Sequence, residues 1–169
     1  ARFAAAEAEA VEHRGPFQIE VRIRHTDGGI RCVRLQSAPR ALPDGASIEV
    51  QPGIYQEALS ISSTGKSFTV RGTAGAPVTI VDAAGKSAAG VNFFRATGRI
   101  LFSGLTFRNG SRPNTAGGGF VIQESSPSFV DCIFELNTAR DGGGGALIRS
   151  NATFTGCIGN SRSSYHARR

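Results

Sequence analysis

Between Phe102 and Gly159 one apolar pattern recurs three times: Phe102–Leu105–Phe107, Phe129–Cys132–Phe134 and Phe154–Cys157–Gly159. Within each triplet the steps are three and two residues; between triplets the offsets are 27 and 25. Two glycine runs, Ala116–Phe120 and Gly142–Ala146, fall between the triplets. A fixed period of about 20–50 residues marks a stacked repeat. A unit this rich in Gly, Ser, Thr and Phe is no helical pair, so a β-solenoid is expected.

The ladder extends backwards with a slowly stretching period. One column runs Ile48/Val50, Val78/Ile80, Leu105/Phe107, Cys132/Phe134 and Cys157. A second runs Leu59/Ile61, Val91/Phe93, Phe120/Ile122 and Ala146/Ile148, and a third Phe68/Val70, Ile100/Phe102, Phe129 and Phe154. Paired residues two apart share one face of a strand. Three short strands per turn, broken at Gly, Pro, Asn and Ser corners, describe a three-sided coil. Coils stack at about 4.8 Å, which places Phe129 on Phe154 and Cys132 on Cys157.

Residues 1–40 differ in character. The Ala/Glu-rich opening reads as a helix ending at Gly15. Phe17, Ile19, Val21 and Ile23 then alternate along a strand, and Thr26–Gly29 supplies a hairpin turn. Residues 41–160 form the coil, and residues 161–169 a basic tail.

The formal charge of +6 is concentrated at the ends. Residues 41–160 hold nine basic and eight acidic side chains, whereas residues 161–169 alone contribute +3. No basic stripe is interleaved with aromatics, which argues against nucleic acid as a partner. No apolar run approaches a membrane span and no signal peptide is present. Cys132 and Cys157 read as small buried hydrophobes rather than a disulfide pair. The Gly-Lys-Ser strings at Gly65–Ser67 and Gly85–Ser87 lack the earlier glycine of a phosphate-binding loop, since Ser60 and Ile80 stand there. Both read as corners. Asn109 and Asn151 open formal glycosylation sequons. The chain has no methionine and stops mid-ladder, and reads as a piece of a longer protein.

The string Leu42–Ile61, LPDGASIEVQPGIYQEALSI, resembles the opening of the pectin lyase-like superfamily, and Leu35–Leu42 resembles the short helical lead-in of those families. The stretch SSPSFVDCIFELNTARDGGGGALIRSNATFTGCIGN is similar to the repeats of polymorphic outer-membrane proteins. The resemblance covers about 120 of the 169 residues. It implies a mostly β fold: a single-stranded right-handed parallel β-helix of about four coils, preceded by the short helix and β-hairpin. In the Pro52-Gly53 motif, Pro and Gly turn the chain, Tyr55 covers the core with its hydroxyl in water, and Glu57 bonds to corner backbone. Glu20–Arg34, EVRIRHTDGGIRCVR, resembles the closing half of a PAS sensor domain. A terminal cap for the stack is the competing reading of that segment.

Relatives of the pectin lyase-like fold act on acidic polysaccharides, but the residues their chemistry requires are missing from this sequence. The segments that carry the paired aspartates of pectin methylesterases are replaced by Leu136–Gly145. The clustered Asp and His of polygalacturonases have no counterpart, since the histidines are His13, His25 and His166. Asp82, Asp131 and Asp141 are dispersed along the repeat, unlike the calcium-binding carboxylates of the lyases. We therefore expect no catalytic residue, metal or cofactor in this chain. Glu135 and Arg108 are expected to form a surface ion pair between coils. Arg108, Arg112, Glu135, Arg140 and Asp141 are the expected ligand surface, at one corner and its adjoining strand. The expectation is a non-catalytic module at the cell envelope, secreted or surface-bound, that holds a polysaccharide or surface protein and self-associates through open solenoid ends. An enzyme whose catalytic coils follow Arg169, and a cytoplasmic sensor with a PAS-like unit, are the alternatives.

Overall fold

A computed structural model describes residues 18–24, 30–36, 44–62 and 65–163. Two strands, β1 (Gln18–Arg24) and β2 (Ile30–Gln36), pair antiparallel, with Val21 opposite Val33. The expected helix before Gly15 and the turn at Thr26–Gly29 lie outside the described residues. Leu35 and Gln36 belong to β2, so a helical lead-in does not begin there.

From Ala46 onward the chain winds as a parallel β-solenoid. The first coil holds β3 (Ala46–Val50), β4 (Gly53–Tyr55) and β5 (Leu59–Ser62); the second holds β6 (Phe68–Gly72), β7 (Thr79–Asp82) and β8 (Val91–Phe94). The third comprises β9 (Ile100–Ser103), β10 (Thr106–Arg108), β11 (Ser111–Ala116) and β12 (Phe120–Gln123). The fourth comprises β13 (Ser128–Val130), β14 (Ile133–Asp141) and β15 (Gly145–Ile148), and β16 (Thr153–Thr155) and β17 (Ile158–Ser163) lie on top. Three parallel sheets result. We call β3-β6-β9-β13-β16 the first sheet, β4-β7-β10-β14 with β17 and β11 the second, and β5-β8-β12-β15 the third.

The third expected column is found as expected, with Val70 on Phe102 and Phe102 on Phe129. Three rungs elsewhere are corrected. Ile48 and Val50 pair with Val70 and Gly72 and so belong to the first sheet; Tyr55, opposite Val81, opens the second. In the second coil the inward pair is Thr79 and Val81, not Val78 and Ile80, because Phe107 registers on Val81. Val78, held in a 3-10 turn at Ala76–Val78, is exposed instead. In the last coil Gly145 and Leu147, not Ala146 and Ile148, align with Phe120 and Ile122. A slip of one residue reverses which face a side chain occupies.

Phenylalanines fill the interior. Phe93, Phe102, Phe107 and Phe129 are fully buried. Phe129 lies 5.1 Å from Phe154 with the rings 7° from parallel, as the repeat predicted. Cys132 and Cys157 occupy one column: each thiol donates to a carbonyl of the preceding coil, Phe102 and Phe129 respectively. Both cysteines are free. Burial pushes the Cys132 thiol up to about 12, so almost no thiolate forms there at neutral pH. We expect a thiol-alkylating reagent at pH 8 to label half-buried Cys157 in the native protein and to leave Cys132 unmodified. Peptide mapping checks this; equal labelling would show that the last coil does not cover Cys132.

Corners turn at residues in left-handed backbone. Gly104, Asp131 and Gly156 form one such column, Arg95, Glu124 and Arg149 a second, and Asn109 and Leu136 a third. In the second column Glu124 lies 3.0 Å from Arg95 and 3.9 Å from Arg149. Both arginines are largely exposed, so each contact contributes under about 1 kcal/mol. The glycine runs do pack backbone on backbone: a Cβ at Gly110 would lie 2.0 Å from the Gly118 carbonyl, and one at Gly119 2.3 Å from that of Gly144.

Candidate functional site

The outer flank of the second sheet carries two columns set by strand alternation. Phe107 points inward, so its neighbours Thr106 and Arg108 point out. Register then gives Ile54, Ile80, Thr106, Ile133 and Ile158 in one column. Asp82, Arg108, Glu135 and Asn160 form the other. Ile54 and Ile158 are 52% and 62% exposed. Thr106 is the exception: its hydroxyl donates to the Ala76 carbonyl, and the 3-10 turn covers it. Between that turn and the corner column lies a groove of about 480 Å³, lined by Arg71, Pro77, Ser103, Asp131, Ile133 and Ile158 among others.

Arg108 and Glu135 are register neighbours, as anticipated, but the expected ion pair is not formed. Arg108 turns to the preceding coil and donates Nε–H to Asp82 Oδ2 at 2.8 Å. Asp82 is 7% exposed and also accepts from Asn109 Nδ2 at 2.9 Å and from the Ala84 N–H at 3.0 Å. Three donors at one carboxylate explain the choice, since Glu135 offers no such cradle. Asn109, the first sequon residue, thus has its amide committed to Asp82. Burial alone would raise the Asp82 carboxyl, but the Asn109 amide, the Ala84 N–H and the Arg108 guanidinium outweigh it and hold it below its ordinary 3.8. A carboxylate held down in this way contributes its full stability above its unfolded pKa and loses it as pH falls through the native value. Asp82→Asn should cost about 1–3 kcal/mol at neutral pH and flatten the loss of stability below about pH 4. Denaturant melts across pH check this; identical acid sensitivity in both proteins would contradict it.

The remaining expected residues lie beyond the Asn109–Leu136 corner. Arg112 on β11 registers with Ala139, and its Nη1 donates to the Ala116 carbonyl at 2.8 Å. Arg140 and Asp141 end β14 and bond each other at 3.1 Å. The corner therefore divides the expected surface in two, with Arg108 and Glu135 on the flank and the other three residues on a side arm. Sequence reasoning missed Asp82 as the partner of Arg108. Aligning Ile80 with Phe107 had set Val81 beside Arg108; only the corrected rung, Phe107 on Val81, brings Asp82 into that column. Sequence reasoning also missed that the Tyr55 hydroxyl donates to the Gln51 carbonyl at 2.6 Å rather than to water.

Among the described residues no three His, Cys, Asp or Glu side chains converge where a metal ion could sit, and no helix is long and apolar enough to cross a membrane. Comparison with protein-family models, with curated proteins and with solved structures gives no match to this chain.

Proposed function

We propose that this β-solenoid is a non-catalytic binding module that holds an extended polysaccharide or a surface protein at the cell envelope. The observation that carries this reading is the outer flank of the second sheet. Exposed Ile158 and half-buried Ile133 stack in one column beside a column of charged and polar residues, and both line the groove, which runs across successive coils. Apolar side chains on a rigid sheet give a polymer contact area with little ordering cost, and the polar column supplies partners for its hydroxyl or amide groups. The last coil offers a second contact: Leu147 and Phe154 are 49% and 39% exposed, whereas Val50 and Leu59 of the first coil are buried. Self-association through that end belongs to the same proposal.

The test is co-sedimentation with insoluble neutral and acidic polysaccharides, with the chain length of the polymer followed in parallel. The reading predicts retention without change in polymer length, lost when Ile133 and Ile158 are both changed to Ser. Release of shortened or unsaturated products would overturn the non-catalytic reading. Retention unaffected by the double substitution would move the site elsewhere.

A further inference from the structure

The groove on the flank of the second sheet carries one charge of each sign. Arg71 stands at its second-coil end and Asp131 at its fourth-coil end, and both are exposed. Arg71 registers on Ser103, and Ser103 on Val130, the residue before Asp131. Two rungs of about 4.8 Å each separate the two positions by about 10 Å along the stack. The Asp131 carboxylate leans on toward the last coil, since a Cβ at Gly156 would collide with its Oδ1. The two charges therefore face away from each other across the groove. Among the described residues neither forms an ion pair, although Glu49 registers one rung below Arg71.

Between the charges the lining is largely apolar or bare backbone. Pro77, Ile133 and Ile158 supply the apolar part. Gly72, Gly75, Gly104 and Gly156 add no side chains, so a bound chain can lie close to the backbone. The complementary ligand carries an anionic group, an apolar middle and a cationic group in a row about 10 Å long. Three residues of extended polypeptide cover that length at about 3.3 Å each, and one strand of polypeptide can carry side chains of all three kinds. A neutral or acidic polysaccharide brings no cation to Asp131.

We infer, resting on the flank as a binding surface, that this groove holds an extended peptide segment of a partner protein. Its basic side chain lies on Asp131, its acidic side chain on Arg71, and apolar residues between them pack on Ile133 and Ile158. Protein rather than polysaccharide is then the occupant of the flank. The probes are the capped tetrapeptide Glu-Ile-Ile-Lys and its forms Gln-Ile-Ile-Lys and Glu-Ile-Ile-Gln, titrated against the full chain and followed by amide NMR. The parent peptide should shift the amides of Ser103, Gly104, Ile133 and Ile158, with each Gln form about threefold weaker, as exposed ion pairs allow. Asp131→Asn, which suits the left-handed backbone there, should erase the preference for Lys over Gln and keep that for Glu. Arg71→Gln should do the reverse. Each variant keeps one preference, so a loss of structure cannot imitate the pattern. Equal affinity of the three peptides for the unsubstituted chain, no shift at the groove amides, or a preference that survives the matching substitution would each overturn the assignment. A retained polysaccharide with no bound peptide would overturn it too, while leaving the flank a binding surface. Retention of neither would sink both.

Discussion

Replacing Phe129 with Ala should bring the solenoid close to unfolding. Phe129 is fully buried. Its ring lies against Phe102 at 5.8 Å, Phe154 at 5.1 Å and Phe120 at 6.3 Å, and meets Phe134 edge-on at 5.4 Å. Phe93 and Phe107 approach it edge-on from the other walls at 6.1 and 6.2 Å. Truncating a buried Phe costs about 3–5 kcal/mol through lost burial and the cavity left behind, against a total stability of about 5–15 kcal/mol for a typical domain. Stacked repeats depend on contact between neighbouring coils, so the loss at Phe129 also detaches the coil above it. Phe154 makes the same parallel stack from the other side but is 39% exposed. Phe154→Ala should therefore cost less than half as much. Chemical denaturation of both variants checks the order. A Phe129→Ala protein no less stable than Phe154→Ala would contradict the proposed core.

The second large effect is expected at Asn137. This side chain is fully buried. Its Oδ1 accepts from the Gly110 N–H at 2.8 Å and its Nδ2 donates to the Phe107 carbonyl at 3.0 Å. Left-handed backbone at Asn109 and Leu136 turns both coils at this point, and the turn diverts the Gly110 N–H from a strand partner. Asn137 supplies the missing acceptor from inside the coil. With Ala there, the Gly110 N–H loses that partner away from water, and a buried group left unpaired costs about 1–3 kcal/mol. Asn137→Ala should destabilise by about 2–4 kcal/mol, counting the lost Phe107 bond as well, and should speed hydrogen exchange at the Gly110 amide. Unchanged exchange at Gly110 would show that the bond is not made.

The solenoid was legible because stacked Phe and Cys residues repeat at nearly constant spacing, and that spacing survives wherever coils have equal length. Register failed where coil length changes. The Ala76–Val78 turn adds residues before β7, so Thr79 and Val81 took the inward positions that Val78 and Ile80 seemed to hold by alternation. The glycine run before β15 has no side chains to mark its phase, and the last rung slipped there for the same reason. The Pro-Gly corner hid a third case: the strand before Pro52 and the strand after Gly53 belong to different sheets. Of the expected surface residues, Arg108 and Glu135 were correctly placed as neighbours, yet the ion pair went to Asp82. Spacing shows which residues are adjacent, whereas the cradle of Asn109 and Ala84 that favours Asp82 exists only after the corner folds. The split between Arg108 and Arg112 was likewise invisible, because a left-handed residue at Asn109 redirects the chain within four residues.

The most direct test of the whole account is the register of the stack, since the flank columns and the groove follow from it. Nuclear Overhauser contacts between backbone protons of Ile80, Thr106 and Ile133, and separately of Phe102, Phe129 and Phe154, would measure it in solution. Parallel cross-strand contacts are expected within each set, between residues 25 to 27 positions apart. Contacts confined to near neighbours in sequence, or an antiparallel pattern, would contradict the solenoid and remove the surface on which the proposed function rests.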